Sequence, residues 1–187
     1  MCKDFLPTAV REFRPAVLLQ AHSRYSILAT LIKDPKPLPP PTPTLVPGTR
    51  SRIGAEPVWQ PVARYTSAAL TADVRVWLTD NGSLTDRLVT SGRGEFRVQR
   101  LYQGWEVPLP SERRLLDLPP RQLALVREVA LWLDSNAVVF ARSIFPIRSL
   151  VGSLAHLRRL HNTSLGAILF KHPGMHRSPF ELTRMAG

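Results

Sequence analysis

Residues 122–133 read QLALVREVALWL, and this stretch decides the fold. In an extended chain its side chains alternate between two faces. One face carries Leu125, Arg127, Val129, Leu131 and Leu133, and the other carries Ala124, Val126, Glu128, Ala130 and Trp132. A turn at 134–136 leads into a second run, AVVFARSIF at 137–145, which Pro146 ends. The two runs predict an antiparallel β-hairpin.

The segments around this hairpin predict one further strand and several helices. EFRVQRLY at 95–102 is typical of a strand. Thr71 and Ser83 are N-cap residues for helices that should run to about Thr79 and Val89, with the turn Asp80-Asn81-Gly82 between them. A basic helix is expected at 153–161, and Thr163-Ser164 should cap a helix that stops near His172. Helices before and after a hairpin indicate an α+β fold, an antiparallel β-sheet with helices packed on it.

The N-terminal part has a different composition. The segment 33–48 holds 7 of the 18 prolines, which exclude a helix or a central strand and favour a stiff linker. Residues 15–32 show some helical spacing of apolar residues, but they are too few for a separate core. We therefore divide the chain into an irregular, disordered N-terminal extension with a Pro-rich linker (1–55) and a domain (56–187).

Composition restricts the class of protein. The single cysteine, Cys2, cannot form an internal disulfide, and no apolar run approaches the roughly 18 residues of a membrane helix. The net charge of +11 is spread along the chain: residues 1–55 hold 8 Lys/Arg against 3 Asp/Glu, and residues 56–187 hold 17 against 11. We expect a cytoplasmic monomer with no nucleic-acid or membrane partner. A positive charge of this size can indicate nucleic acid, a membrane surface or an anionic substrate as the partner.

Arg127 is the first candidate for a binding residue, because it shares its strand face with leucine and valine. A guanidinium on a core-facing side is costly without an anionic partner, and its planar fork suits a carboxylate. Two alternatives stay open: this face is solvated, or Arg127 pairs with an internal Asp or Glu. Leu84 and Leu165 are further candidates, since each follows an N-cap and the first turn of a helix presents backbone N–H groups to anions. Every capped helix has such donors, however.

Metal and cofactor chemistry find no support in the sequence. His172 and His176 are four residues apart, but Pro173 and Gly174 between them break a helix. No HExxH pattern, phosphate-binding loop or nucleophilic triad motif is present. We predict no metal and no cofactor, and leave the catalytic residues unassigned.

Three segments together resemble the chorismate lyase family: 77–85 (WLTDNGSLT), the hairpin with VREV at 126–129 and ARSIFP at 141–146, and LGAILF at 165–170. The resemblance covers about residues 57–185. It implies an enclosed ligand site and a lyase, free of metal and cofactor, that converts chorismate to 4-hydroxybenzoate and pyruvate as the first step of ubiquinone biosynthesis. It further implies that Arg127 grips the ring carboxylate, and that Leu84 and Leu165 contribute to substrate binding through backbone N–H groups.

The sequence departs from the family pattern near its end. The family continues beyond the region matching 178–184 into a strand pair that supplies an acidic ligand-site residue, whereas this sequence stops at Gly187. We therefore expect a C-terminally shortened member in which that acid is unassigned and Glu181 is a solvent-facing helical residue. Two alternatives to the enzyme remain: a non-catalytic effector-sensing module of the same fold type, or an inactive truncated relative. A nucleic-acid binder is disfavoured, because Trp59, Trp77, Trp105 and Trp132 are dispersed.

Overall fold

One antiparallel sheet organises the chain in this computed structural model, which describes residues 58–70, 72–91, 94–169 and 179–184 and the backbone of 16–22 and 26–32. Its seven strands lie in the order β3-β7-β1-β2-β6-β5-β4, and every neighbouring pair is antiparallel. The strands are β1 (Ala16–His22), β2 (Ser26–Ile32), β3 (Gln60–Pro61), β4 (Phe96–Glu106), β5 (Ala124–Leu133), β6 (Asn136–Pro146) and β7 (Glu181–Arg184).

The helices are short. The α-helices are α1 (Ala72–Leu78), α2 (Leu84–Ser91), α3 (Pro110–Leu115) and α4 (Leu165–Leu169), and 3-10 helices span Val62–Arg64, Ile147–Ser149 and Gly152–Arg159. The predicted class, an α+β fold with helices on an antiparallel sheet, is confirmed.

The predicted hairpin is β5 and β6, paired from Ala124↔Pro146 to Leu133↔Asn136. Residues 124–132 are all buried, so both faces of β5 are covered. We call the side that carries Leu125, Arg127, Val129 and Leu131 the front face, and the side that carries Val126, Glu128 and Ala130 the back face. An arginine and a glutamate that are adjacent in sequence therefore project into opposite halves of the core.

Two apolar clusters cover the front face. The first joins α1 and α2 to the sheet through Leu78, Leu88, Val98, Val129, Leu131 and Val139. The second joins the Gly152–Arg159 helix and α4 to the sheet through Leu125, Phe145, Leu154, Leu157, Leu165 and Leu169. Arg127 follows Leu125 and precedes Val129 on this face, so it lies at the junction of the two clusters.

The back face is covered by the chain that leaves α3. Leu116 and Leu118 pack there on Ala124, Val126 and Ile144. Glu112 of α3 is also buried, with 1% of its surface exposed. Its carboxylate accepts a hydrogen bond from the Leu109 N–H at 2.8 Å, which ties the start of α3 to the middle of that helix.

Several local predictions need correction. Residues 16–22 and 26–32 are strands paired with β7 and β6, not the helix that their apolar spacing suggested, because short apolar runs do not distinguish the two. The predicted basic helix is a 3-10 helix, and its buried leucines recur every three residues as that geometry requires. Glu181 is a partly buried residue of β7, paired with β1 and β3, and not an exposed helical residue.

The division of the chain at residue 55 stays a prediction. The proline tract at 33–48, the N-cap Thr71 and the histidines at 172 and 176 lie outside the described residues.

Candidate functional site

Arg127 is the largest side chain that the front face buries. Only 1% of its surface is exposed. Its Nη2 donates to the backbone carbonyls of His161 at 3.1 Å and Thr163 at 2.8 Å. Its Nε is buried and has no hydrogen-bond partner in the part of the chain that the structure describes. The guanidinium is thus held in place by two carbonyls while one of its donors lacks an acceptor.

The surroundings of Arg127 decide between the alternatives that the sequence left open. Burial excludes a solvated face, and within the described residues no Asp or Glu pairs with this guanidinium. Burial lowers the pKa of Arg127 to about 10, and the nearby charge of Arg100 lowers it further in the same direction. The group still carries its proton at neutral pH. A buried cation in this state is the complement of an anionic ligand.

The starts of α2 and α4 lie side by side. The hydroxyl groups of Thr85 and Ser164 are 2.7 Å apart and share a hydrogen bond. A Cβ added at Gly166 would stand 3.4 Å from the Ser83 Oγ and 3.6 Å from the Thr85 Oγ1. Position 166 of α4 therefore lies within van der Waals distance of the start of α2.

Ser83 caps α2 as its sequence context predicts. Its Oγ accepts a hydrogen bond from the Asp86 N–H at 3.2 Å, which satisfies one donor of the first turn. The N–H groups of Leu84 and Thr85 have no acceptor within the helix itself, as is general for a first turn.

The side chains of the two candidate leucines belong to the apolar core. Leu84 is partly buried against the first front cluster, and Leu165 is a buried member of the second. Any contribution to a polar ligand must come from their backbone N–H groups. Because α4 has only five residues, its contribution rests on individual N–H groups and not on a summed helix dipole.

The structure brings the three predicted site residues to one place. Arg127 donates a hydrogen bond to the carbonyl of Thr163, and the neighbouring Ser164 shares a hydrogen bond with Thr85. Leu84 and Leu165 are the first residues of the two adjoining helices. The buried guanidinium is thus linked to the first turns of α2 and α4 through Thr163, Ser164 and Thr85. Such an arrangement can bind a small carboxylate and hold its ring in one orientation.

Two polar residues of β4 were missed by the sequence analysis. Gln103 pairs with Arg127 across β4 and β5, and its Nε2 donates to the Arg158 carbonyl at 2.6 Å while its Oε1 is buried without a partner. Arg100 lies on the same face and contacts His161. A register shift between Arg100 and Tyr102 puts both residues on the front face. Strict alternation would separate them, so no sequence signal identified the pair.

The back face holds a separate ion network, centred on Arg142. Its Nε donates to Glu112 at 2.8 Å and its Nη1 to Glu128 at 2.6 Å. Burial would lower the pKa of Arg142, but the two carboxylates reverse this effect and raise the pKa above its usual range. Burial raises the pKa of Glu128, which Arg142 offsets only in part. Here every charge has a partner, in contrast with the front face.

Tyr102 borders this network. Burial and a hydrogen bond with Glu106 raise the pKa of the Tyr102 phenol to about 12, so the phenol stays protonated at neutral pH.

Among the helices of the described residues, none is both long and apolar enough to cross a membrane.

The chain is similar to known proteins of one family. A family model described as "Chorismate lyase" matches residues 54–187. A "Probable chorismate pyruvate-lyase" of Marinobacter nauticus is 44% identical over 107 residues, which cover 57% of this chain and 57% of that protein. The protein of the same name from Halorhodospira halophila is 37% identical over 129 residues, covering 69% of this chain and 67% of that protein. For the first relatives compared, the matched part spans 57–62% of their own length. No solved structure matches.

Proposed function

The chain belongs to the chorismate lyase family, and from that premise we propose that it converts chorismate to 4-hydroxybenzoate and pyruvate. The observation that carries the proposal is the buried guanidinium of Arg127, which is oriented by two carbonyls and has no carboxylate partner among the described residues. A protein gains nothing in stability from such a charge, because an unpaired buried ion is costly. A ligand carboxylate would compensate that cost.

In this proposal Arg127 binds the ring carboxylate. Its Nε supplies a donor that the described protein groups leave unused. The backbone N–H groups at Leu84 and Leu165 complete the polar contacts at the adjoining starts of α2 and α4. The apolar clusters on either side of Arg127 would then pack against the ring, since small-molecule sites are mostly hydrophobic with a few polar groups.

The reaction is an elimination in which bonds and protons balance. The C4–H and C3–O bonds of the substrate break, and a third double bond forms, so the ring becomes aromatic. The departing enolpyruvate takes up one proton at its methylene carbon and becomes pyruvate. Because aromatisation drives the reaction, the residues assigned here act by holding the substrate in the reactive conformation and by stabilising its charge. No residue is assigned to the proton transfer.

The same proposal includes the finer expectations that follow from the family. The chain would act without metal or cofactor, as a cytoplasmic monomer, at the first step of ubiquinone biosynthesis. Its partners would be chorismate and 4-hydroxybenzoate, with no nucleic acid.

The test is to incubate the purified full chain with chorismate in the presence of a chelator and to measure 4-hydroxybenzoate and pyruvate. The informative variant is Arg127→Met, which keeps much of the side-chain volume and removes the charge. We expect it to lose turnover and to bind 4-hydroxybenzoate about ten- to a hundredfold more weakly, the range for a charge-assisted hydrogen bond of about 1.5–3 kcal/mol. Arg97→Gln is the matched control, because Arg97 is exposed on the back-face side of β4 and stacks on Trp132 at 4.8 Å.

A thermal melt of each variant separates lost binding from lost folding. In Arg127→Met, relief of an unpaired buried charge opposes the loss of two hydrogen bonds, so we expect a melting temperature within a few degrees of that of the parent. If a folded Arg127→Met variant keeps both turnover and product affinity, the proposal is wrong. If the parent chain binds 4-hydroxybenzoate without turnover, the effector-sensing module or the inactive relative is favoured instead.

A further inference from the structure

Arg100 and Arg127 contact the same loop, residues 161–163. It lies on the front face of β4, opposite Val129. Its Nη1 is 3.2 Å from the His161 Nδ1, and its backbone N–H donates to the Asn162 Oδ1 at 3.1 Å. Arg127 binds the carbonyls of His161 and Thr163 in the same loop. Two arginines, one exposed and one buried, therefore hold the short segment that leads into α4.

Both guanidinium groups contact His161, Arg100 at the ring Nδ1 and Arg127 at the backbone carbonyl. Within the described residues, the charge of Arg100 lowers the pKa of Arg127, which is the direction expected for repulsion between like charges. Neither group has a carboxylate partner among the described residues. Arg100 can only donate to the His161 Nδ1, so a neutral His161 carries its proton on Nε2 and does not neutralise the pair.

The contrast with Arg142 shows that the fold can pair such charges. On the back face of the same sheet, one guanidinium is flanked by two buried carboxylates. On the front face two cations are left without a counter-ion in the described chain. Like charges at short range favour a bound anion, and two cations favour a ligand with two negative groups.

We propose that Arg100 is a specificity-determining residue that binds the second carboxylate of a dicarboxylate substrate, while Arg127 binds the first. The inference rests on the proposed function: the substrate would place its ring carboxylate at the buried cation and the carboxylate of its enolpyruvyl group at the exposed one. The aromatic product has a single carboxylate. Arg100 therefore distinguishes substrate from product, whereas Arg127 binds both.

The experiment compares Arg100→Gln with the parent chain and with Arg97→Gln, which removes the same charge from the same strand on the opposite side of the sheet. We measure kcat and KM for chorismate and the inhibition constant of 4-hydroxybenzoate. Arg100→Gln should raise KM about tenfold, as loss of one charge-assisted contact would, and change the inhibition constant less than twofold. Arg97→Gln should leave both constants unchanged.

Two further readouts separate a charge effect from a shift of the loop. Arg100→Lys keeps the charge but not the guanidinium geometry. At low salt its KM should therefore lie much closer to that of the parent than the KM of Arg100→Gln does. Added salt should raise the KM of the parent more than that of Arg100→Gln, because the contact is exposed and screened.

The outcomes are distinct. If the parent turns over chorismate and Arg100→Gln weakens substrate and product equally, Arg100 only positions the loop and the inference is overturned while the enzyme assignment stands. An unchanged KM overturns it as well. If the parent chain shows no turnover and binds neither ligand, the proposed function fails, and the role of Arg100 fails with it.

Discussion

The ion network on the back face gives a sharp prediction for the variant Arg142→Met. In the parent, Arg142 is bound by Glu112 at 2.8 Å and by Glu128 at 2.6 Å, and the two carboxylate side chains are only 1% and 9% exposed. Removing the guanidinium leaves two carboxylates in a place that water scarcely reaches. Breaking a buried ion pair in this way typically costs about 3–5 kcal/mol.

The two losses should not simply add. Glu112 keeps the hydrogen bond from the Leu109 N–H, and Glu128, whose pKa burial already raises, can take up a proton. We therefore expect a total loss of about 3–5 kcal/mol in the free energy of unfolding, not twice that amount. Since small proteins are stable by about 5–15 kcal/mol, this is a large part of the whole.

The assay is equilibrium unfolding in urea at neutral pH, with the slope of the transition checked for each variant. The matched control is the triple variant Glu112→Gln, Glu128→Gln, Arg142→Met, which removes all three charges and should recover most of the lost stability. A loss below about 1 kcal/mol for Arg142→Met, the range of exposed pairs, would refute the reasoning. So would a triple variant as unstable as the single one.

Two further predictions concern single residues. Ser83→Ala removes the acceptor of the Asp86 N–H and should cost about 1 kcal/mol in urea unfolding, whereas Ser83→Thr should cost less; equal losses would contradict the capping role. For Glu128, burial raises the pKa of the folded-state carboxyl above its ordinary 4.5, so its contribution to stability is full below pH 4.5 and is lost as the pH rises through the raised value. Glu128→Gln should therefore gain stability relative to the parent with increasing pH, and a difference that is constant from acid to neutral pH would rule this out.

The sequence predicted the parts of the fold in which local pattern and tertiary contact agree. Alternation along 122–133 identified β5, and Ser83 and Ser164 marked the starts of α2 and α4 within a residue. The neighbours of Arg127 on the strand marked it as a candidate, but they left open whether its face is solvated; its burial is known only from the structure. The predicted features depend on residues close together in the chain, where spacing carries the information.

The parts that were not predicted depend on pairing between distant segments. Glu181 becomes a strand residue because β1 and β3 supply its hydrogen-bonding partners, which its own sequence does not indicate. Arg100 and Gln103 share a face only because of the irregularity in β4. Which acids neutralise Arg142, and that none described neutralises Arg127, follows from the three-dimensional arrangement alone.

The adjacency of Arg127 and Glu128 constrains how β5 can align with its neighbours. Residues 124–132 are buried on both sides, so apolar pattern alone would tolerate a slip of one position. Such a slip would carry the guanidinium of Arg127 toward Arg142 and deliver a carboxylate to the place of the proposed anion site. Two consecutive side chains of opposite charge thus make the misaligned sheet unstable, and the slip would also remove the cation from the proposed ligand site. Folding and the proposed recognition therefore favour the same alignment.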